Sequence, residues 1–456
     1  MSDSVRQLAR DARRALRAGP AAIAEEQRAH LAEIVRYARA RSPFYRELYR
    51  NLPGEVDDPT LLPVTDKKLL MSRFDDWVTD RKVTLERVQA FVADPTLVGQ
   101  PFQDRYLVAT TSGTSGLRGL FLLDERNQAV HTKLGSRAMA ALGVGDVVRT
   151  ITHLGRTAVI AASGGHFLTT ASTARFRQDS RLASQIMRVF SVNQPLPELV
   201  ADLNRYNPAS VACFLSVLTL LAEEQEAGRL HICPVLLIPG GETATSEAVE
   251  RIARAFQAKV RPSYACTECT YLSFSCAHGW YHVNSDWAVV EPVDADHRPV
   301  PPGQPSHTVL ISNLANRVQP ILRYDLGDSV VLRPDPCPCG SPLPAIRVQG
   351  RAADVLMFPT DRGEHVSILP MLFGTLLDGV PGIEQYQVVQ TTPATLRVRV
   401  RPADGFDPDH VWHVVRGELT RLLTEHKVEH VTLERAEEPP EPAPSGKYRR
   451  VVPLSA

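Results

Sequence analysis

From about residue 105 to residue 300 the chain alternates strand-like apolar runs with amphipathic helix-like runs. This alternation limits its possible folds more than any other feature. "RTITHL" (149–154) and "PVLLIPGG" (234–241) have the length and apolar content of buried strands. "PELVADLNRY" (197–206), "SVLTLLAEEQEAG" (216–228) and "SEAVERIARAFQA" (246–258) carry apolar residues at helical spacing. Strands separated by helices call for crossover connections, and so for an α/β architecture with mainly parallel sheets. The flanks differ. Residues 1–50 read as a helical lead-in, broken at Gly19-Pro20, and residues 300–350 are rich in Pro, Gly and Val and read as all-β. After Gly350 the pattern restarts with "YQVVQ", "TLRVRVRP", the helix-like "VWHVVRGELTRLLTEH" and a proline-rich tail. The expected organisation is a large N-terminal α/β domain (1–349) containing a β-rich segment, and a small α+β C-terminal domain (350–456).

At 456 residues, 43% of them apolar, the chain can bury a substantial core. Its 51 Lys and Arg balance its 51 Asp and Glu, so no broad basic field is expected to hold nucleic acid or an anionic membrane. The longest apolar run, "VACFLSVLTLL", falls far short of the roughly 20 residues of a membrane span. The Arg-rich start, "MSDSVRQLARDARRALRAG", lacks the apolar segment of a secretory signal. It imitates an organellar presequence, but Asp3 and Asp11 favour a surface helix. Seven cysteines without such a signal point to a reducing compartment, with the cytoplasm as the expected location. A homodimer is compatible with this sequence.

Between "YLVA" and "LFLL" lies "TTSGTSGLRG" (110–119), a loop crowded with Gly, Ser and Thr. Such a loop can turn backbone N–H groups and hydroxyls toward one anion, and glycine permits the close approach. A Walker loop requires Gly-Lys, which is missing, and the dinucleotide fingerprint requires Gly-x-Gly-x-x-Gly, whereas the spacing here is Gly113-x-x-Gly116-x-x-Gly119. Taken alone, the loop reads equally as a hairpin tip.

Six motifs in order settle how the loop is read. "TTSGTSG", "GGET" (240–243), "YACTE" (264–268), "RYDLGD" (323–328), "GRAAD" (350–354) and "SGKYRRVV" (445–452) together resemble the motifs of the adenylate-forming (AMP-binding) enzyme superfamily. "SPFYRELY" and "CPCG" resemble its phenylacetate–CoA ligase branch. The resemblance implies an ATP-dependent ligase that makes an acyl-adenylate from a carboxylic acid, aromatic or arylacetic by branch. The acyl group would then pass to CoA, or in a variant to an amine or a carrier-protein thiol. A degenerate nucleotide-binding protein is the non-catalytic alternative. The resemblance also implies a C-terminal domain that moves.

Carried over residue by residue, the resemblance assigns Thr111, Ser112, Gly113, Thr114, Ser115 and Gly116 to the β- and γ-phosphates of ATP. It assigns Gly240, Gly241, Glu242 and Tyr264 to adenine, and Asp328 and Arg351 to the ribose. Thr267 would meet the α-phosphate and Glu268 would bind Mg²⁺, for which a hard carboxylate is suited. Lys447 would neutralise charge in the adenylation transition state, and His166, Phe167 and Ala265 would line the acyl pocket. The chain departs from the family at three places: Arg118-Gly119 stands for Pro-Lys, Ala265 for a glycine, and Ala353 for the hinge aspartate, with Asp354 one step on.

Cys276, His282, Cys337 and Cys339 form a plausible Cys3His zinc set, in which His278 is an alternative to His282. Cys266 and Cys269 form a competing Cys-x-x-Cys pair, but Thr267 and Glu268 between them already have assigned roles.

Overall fold

The computed structural model describes residues 17–111, 118–139, 142–161, 165–241, 246–350, 356–359, 365–368, 370–377, 379–403, 405–441 and 450–454. The alternating pattern folds into a five-stranded, all-parallel sheet in the order Met187–Ser191, Thr157–Ala161, Ser210–Phe214, Leu236–Gly240, Lys259–Val260. Helices Leu168–Asp179, Leu196–Tyr206, Leu215–Glu226 and Ser246–Phe256 lie between successive strands. The periodicity of the last three is the one the sequence predicts. Because all five strands run the same way, their carboxyl ends share one edge, where ligands settle in open α/β sheets. Gly240 lies on that edge.

One expected strand is a helix. The "RTITHL" run forms the end of helix Val144–Thr152. Its Val, Ile and Thr residues favour strands, but tertiary contacts override that preference. The Asp146 carboxylate accepts from the Gly143 N–H at 2.8 Å and from Lys259 Nζ at 2.6 Å, which fixes the first turn against the last strand of the sheet.

The β-rich segment is antiparallel. Ala288–Val293, Thr308–Asn313 and Ile321–Asp325 make one sheet, and Ser329–Leu332, Ala345–Gly350, Tyr281–Val283 and Ser273–Ser275 make another. The N-terminal helices Pro20–Arg41 and Pro43–Leu48 join this segment in one core with Tyr45, Trp77, Phe121 and Tyr324. Tyr45 Oη and Trp77 Nε1 both donate to the Pro320 carbonyl, at 2.9 and 2.7 Å. Two buried donors are thereby satisfied at a single acceptor.

Beyond residue 355 a four-stranded sheet is ordered Thr432–Arg435, Thr395–Pro402, Ile383–Thr392, Val451–Val452, with an antiparallel central hairpin and parallel outer strands. Helix Pro408–Glu425 starts at Asp407, whose side chain accepts from the Asp409 N–H. It buries Val411, Val415, Leu419, Leu422 and Leu423. These residues belong to the same continuous apolar cluster as Ile160, Val211 and Leu237 of the parallel sheet. No helix among the described residues is long and apolar enough to cross a membrane.

Candidate functional site

The glycine-rich loop joins two buried antiparallel strands, Leu107–Thr110 and Leu120–Leu123. Residues Ser112, Gly113, Thr114, Ser115 and Gly116 lie outside the described residues, as do Glu242, Arg351, Ala353, Asp354 and Lys447. The base of the loop is closed by a reciprocal pair of bonds. The Thr111 N–H donates to the Gly119 carbonyl at 3.0 Å, and the Gly119 N–H donates to Thr111 Oγ1 at 2.9 Å. Only glycine fits at 119, since a Cβ there would lie 2.5 Å from the Phe121 ring. Arg118 Nη2 donates to Thr110 Oγ1 at 3.2 Å, so a guanidinium stands at the foot of the loop.

The same strand reaches the stretch assigned to the acyl pocket. The Thr110 N–H donates to the His166 carbonyl at 2.7 Å, and Thr110 bridges Phe167. His166 is 1% exposed, and its Nε2 donates to the Asp94 carbonyl at 3.2 Å. Burial, with the charge of Arg118, holds the imidazole pKa below its ordinary value, so the ring is neutral near pH 7. Its Nδ1 is therefore an acceptor, and it is buried with no hydrogen-bond partner among the described residues.

Gly240 and Gly241 turn the chain at the carboxyl edge of the parallel sheet. Gly241 has φ +76°, and a Cβ there would meet the Phe214 ring at 2.8 Å. Position 241 therefore needs glycine both for its backbone and for the space it leaves. The neighbouring segment enters when the Ser263 N–H donates to the Pro239 carbonyl at 2.8 Å, and Tyr264 follows.

Tyr264 and Asp328, 64 residues apart, are brought together: Tyr264 Oη donates to Asp328 Oδ2 at 3.0 Å. Thr267 and Glu268 sit at the tip of a tight turn closed by Cys266 and Cys269, whose backbones exchange hydrogen bonds of 3.4 and 3.1 Å. Glu268 is 5% exposed, and its Oε1 accepts from Tyr324 Oη at 3.0 Å. Burial, then the nearby Glu268 charge, push the Cys266 thiol well above its ordinary range, with Asp328 adding a smaller push. The Cys-x-x-Cys pair thus serves as the frame of this turn.

Sequence reasoning missed the residues that hold these groups. Tyr324 lies within the quoted "RYDLGD" but was given no role. Asn313 Nδ2 donates to the Glu268 carbonyl at 2.9 Å and to Asn127 Oδ1 at 3.1 Å, tying the Glu268 turn to the helix that follows the glycine-loop hairpin. Asn313 and Asn127 are fully buried, and buried amides so far apart in sequence give no local signal of their pairing.

Four side chains gather at a second place. The ligand atoms of Cys276, His282, Cys337 and Cys339 all lie within 4.8 Å of one another. Cys276 Sγ and Cys337 Sγ are 3.7 Å apart, against an edge of about 3.8 Å for a tetrahedron with Zn–S near 2.3 Å. His282 Nδ1 donates to the Leu343 carbonyl at 3.0 Å, which leaves Nε2 facing Cys339 Sγ at 3.1 Å. A carbonyl on the outer ring nitrogen is the arrangement that orients a metal-binding histidine. Among the described residues His278, Cys266 and Cys269 join no such cluster, and all seven cysteines are free of disulfides.

No protein-family model and no curated protein matches the sequence. Among solved structures, the chain is similar to 2-hydroxyisobutyryl-CoA ligase. Against that enzyme in complex with 2-HIB-AMP and CoA in the thioesterification state, the TM-score is 0.60 at 21% identity, covering 95% of this chain and 89% of that one. Against its open conformation with the same two ligands, the TM-score is 0.54 at 21% identity, covering 96% and 91%. This likeness establishes the fold, which is that of the adenylate-forming enzymes.

Proposed function

We propose, with the adenylate-forming fold as premise, that the protein is an AMP-forming carboxylate–CoA ligase. A carboxylate oxygen of the acid attacks the α-phosphorus of ATP, and pyrophosphate leaves. The thiol sulfur of CoA then attacks the acyl carbon, its proton passes to solvent, and AMP leaves. The observation that carries this reading is the pair of tyrosine-held carboxylates, Asp328 on Tyr264 and Glu268 on Tyr324, in a fold whose sheet edge carries the Gly240-Gly241 turn. Two acceptors fixed in this way suit a ribose diol and a hard cation.

In this reading, Thr111 to Gly116 cradle the β- and γ-phosphates, with Arg118 supplying charge at the loop's foot. Thr267 meets the α-phosphate, Glu268 holds Mg²⁺, and Lys447 and Arg351 complete the site from the C-terminal side. Mg²⁺ would offset the repulsion between the phosphates and the incoming carboxylate. Glu242 and Tyr264 flank adenine, and Tyr264 thereby joins the base to the ribose carboxylate it already touches. His166, Phe167 and Ala265 line the acyl pocket, which is proposed for an aromatic or arylacetic acid. Free cysteines suit a reducing, cytoplasmic setting.

Acid-dependent ATP–pyrophosphate exchange over a panel of aromatic, arylacetic and short 2-hydroxy acids tests this. Exchange is expected with at least one arylacetic acid, and with CoA present the thioester mass is expected. Absence of exchange with every acid defeats the ligase reading. Exchange without thioester turns the acceptor into an amine or a carrier thiol.

The Cys3His cluster is proposed to bind a structural Zn²⁺, with four protein ligands and no open position. It would join the Tyr281–Val283 hairpin to the 337–339 loop. Purified protein is expected to carry zinc, and stripping it with a chelator is expected to lower the melting temperature by several degrees. Metal-free protein with an unchanged melt rejects the site.

A further inference from the structure

Helix Val144–Thr152 is amphipathic but mounted with its apolar side outward. Its polar side faces the protein: Asp146 pairs with Lys259 at 2.6 Å, and Arg149 Nη2 donates to the Pro234 carbonyl at 3.4 Å. Val144, Val147, Val148, Ile151 and Leu154 point away from the protein, with Val144 84% and Ile151 68% exposed, and the helix buries none of its residues. Beyond Gly155 the ridge meets helix Arg181–Ile186: a Cβ at Gly155 would lie 3.9 Å from Ile186 Cδ1, and exposed Leu182 stands one turn back along that helix. A soluble helix ordinarily turns its apolar stripe to the core. Scattered exposed aliphatics need no explanation, but a contiguous row does.

Charge narrows what can cover this ridge. The whole chain is neutral, yet residues 144–191 hold six arginines and two aspartates, with no Lys or Glu. Asp146 is paired with Lys259 and Asp179 with Arg175. Arg181 is exposed next to Leu182, Arg149 is exposed although its Nη2 reaches the Pro234 carbonyl, and Arg188 is exposed over the Phe190 and Tyr206 rings, with half-buried His153 and Arg156. A second copy would bring these cations face to face. Aliphatic side chains flanked by arginines fit the boundary between lipid headgroups and acyl chains.

We infer that this ridge docks the protein on an anionic lipid surface. The position in the fold agrees. The helix runs along the amino ends of the parallel strands, touching Lys259 and Pro234, and Arg156 accepts through its carbonyl from the Ala209 and Ser210 N–H groups. Gly240 and Gly241 lie at the opposite edge, about 16 Å away for a five-residue strand. A docked molecule therefore keeps that edge facing the solvent. Overall neutrality leaves no broad basic field on the chain, so the local excess of arginine is what would meet an anionic surface. The inference does not depend on the ligase reading.

The test is co-sedimentation of the full chain with vesicles of phosphatidylcholine alone or mixed with phosphatidylglycerol, at low and high salt. Binding is expected to the mixed vesicles, weakening with salt. Arg181→Glu is expected to lower partitioning by about fivefold or more. Val147→Asp with Ile151→Asp should abolish binding while the far-ultraviolet spectrum and melt stay unchanged, since both sites are exposed. No sedimentation with the anionic vesicles overturns the inference, as does a doubly substituted chain that binds like wild type. Sedimentation velocity supplies the remaining outcome: a wild-type dimer that the double substitution makes monomeric would assign the ridge to self-association and overturn lipid docking.

Discussion

Glu268→Gln is expected to lower acid-dependent ATP–pyrophosphate exchange by about a hundredfold or more, with the melting temperature nearly unchanged. Glutamine keeps the shape of the side chain, and its amide oxygen still accepts from Tyr324 Oη, which donates to Glu268 Oε1 at 3.0 Å. The backbone bond from Asn313 to the Glu268 carbonyl is untouched. What disappears is the negative charge that suits a hard cation. Tyr324→Phe separates the two contributions: it keeps the carboxylate but removes the hydroxyl that fixes it, so the Mg²⁺ concentration for half-maximal exchange is expected to rise several-fold. Lys447→Ala should abolish exchange while nucleotide binding, followed by calorimetry, stays largely intact. If Glu268→Gln exchanges like wild type, the magnesium role is wrong even if the protein still makes adenylates.

The second large effect is on stability. Arg137→Ala is expected to cost about 3–5 kcal/mol, read as a fall in the urea midpoint. Arg137 and Asp286 are 8% and 0% exposed, and the guanidinium meets the carboxylate with both Nη atoms, at 2.8 and 2.6 Å. Arg137 Nη1 also donates to Asn284 Oδ1 at 2.7 Å. Removing the arginine leaves a buried carboxylate with no cation among the described residues, and that uncompensated charge accounts for most of the loss. Replacing both partners with apolar residues, as in Arg137→Met with Asp286→Leu, should recover a large part of it. A double variant no more stable than Arg137→Ala alone would show that the pair holds the 284–287 segment by geometry and not by charge balance.

Much of this architecture is legible in the sequence. Helices 196–206, 215–226 and 246–256 stand where apolar spacing puts them, because a helix stripe is written into neighbouring residues. The glycines at 119 and 241 were visible as motif positions. Their reasons, the Phe121 and Phe214 rings, were not. The same local logic failed for residues 149–154, since β-branched composition cannot register a salt bridge from Asp146 to a lysine 113 residues later.

The residues by themselves determined most of the elements, though not the helix at 144–152, along with their order and which short motifs carry acceptors and thiols. Tertiary structure alone decided that Tyr324 holds Glu268, that Tyr264 holds Asp328, that His282 and not His278 faces the cysteines, and that one amphipathic helix turns its apolar side outward. The physical reason is range. Periodicity and capping act within a turn or two of the chain, whereas a hydrogen bond or metal cluster depends on where distant segments come to rest.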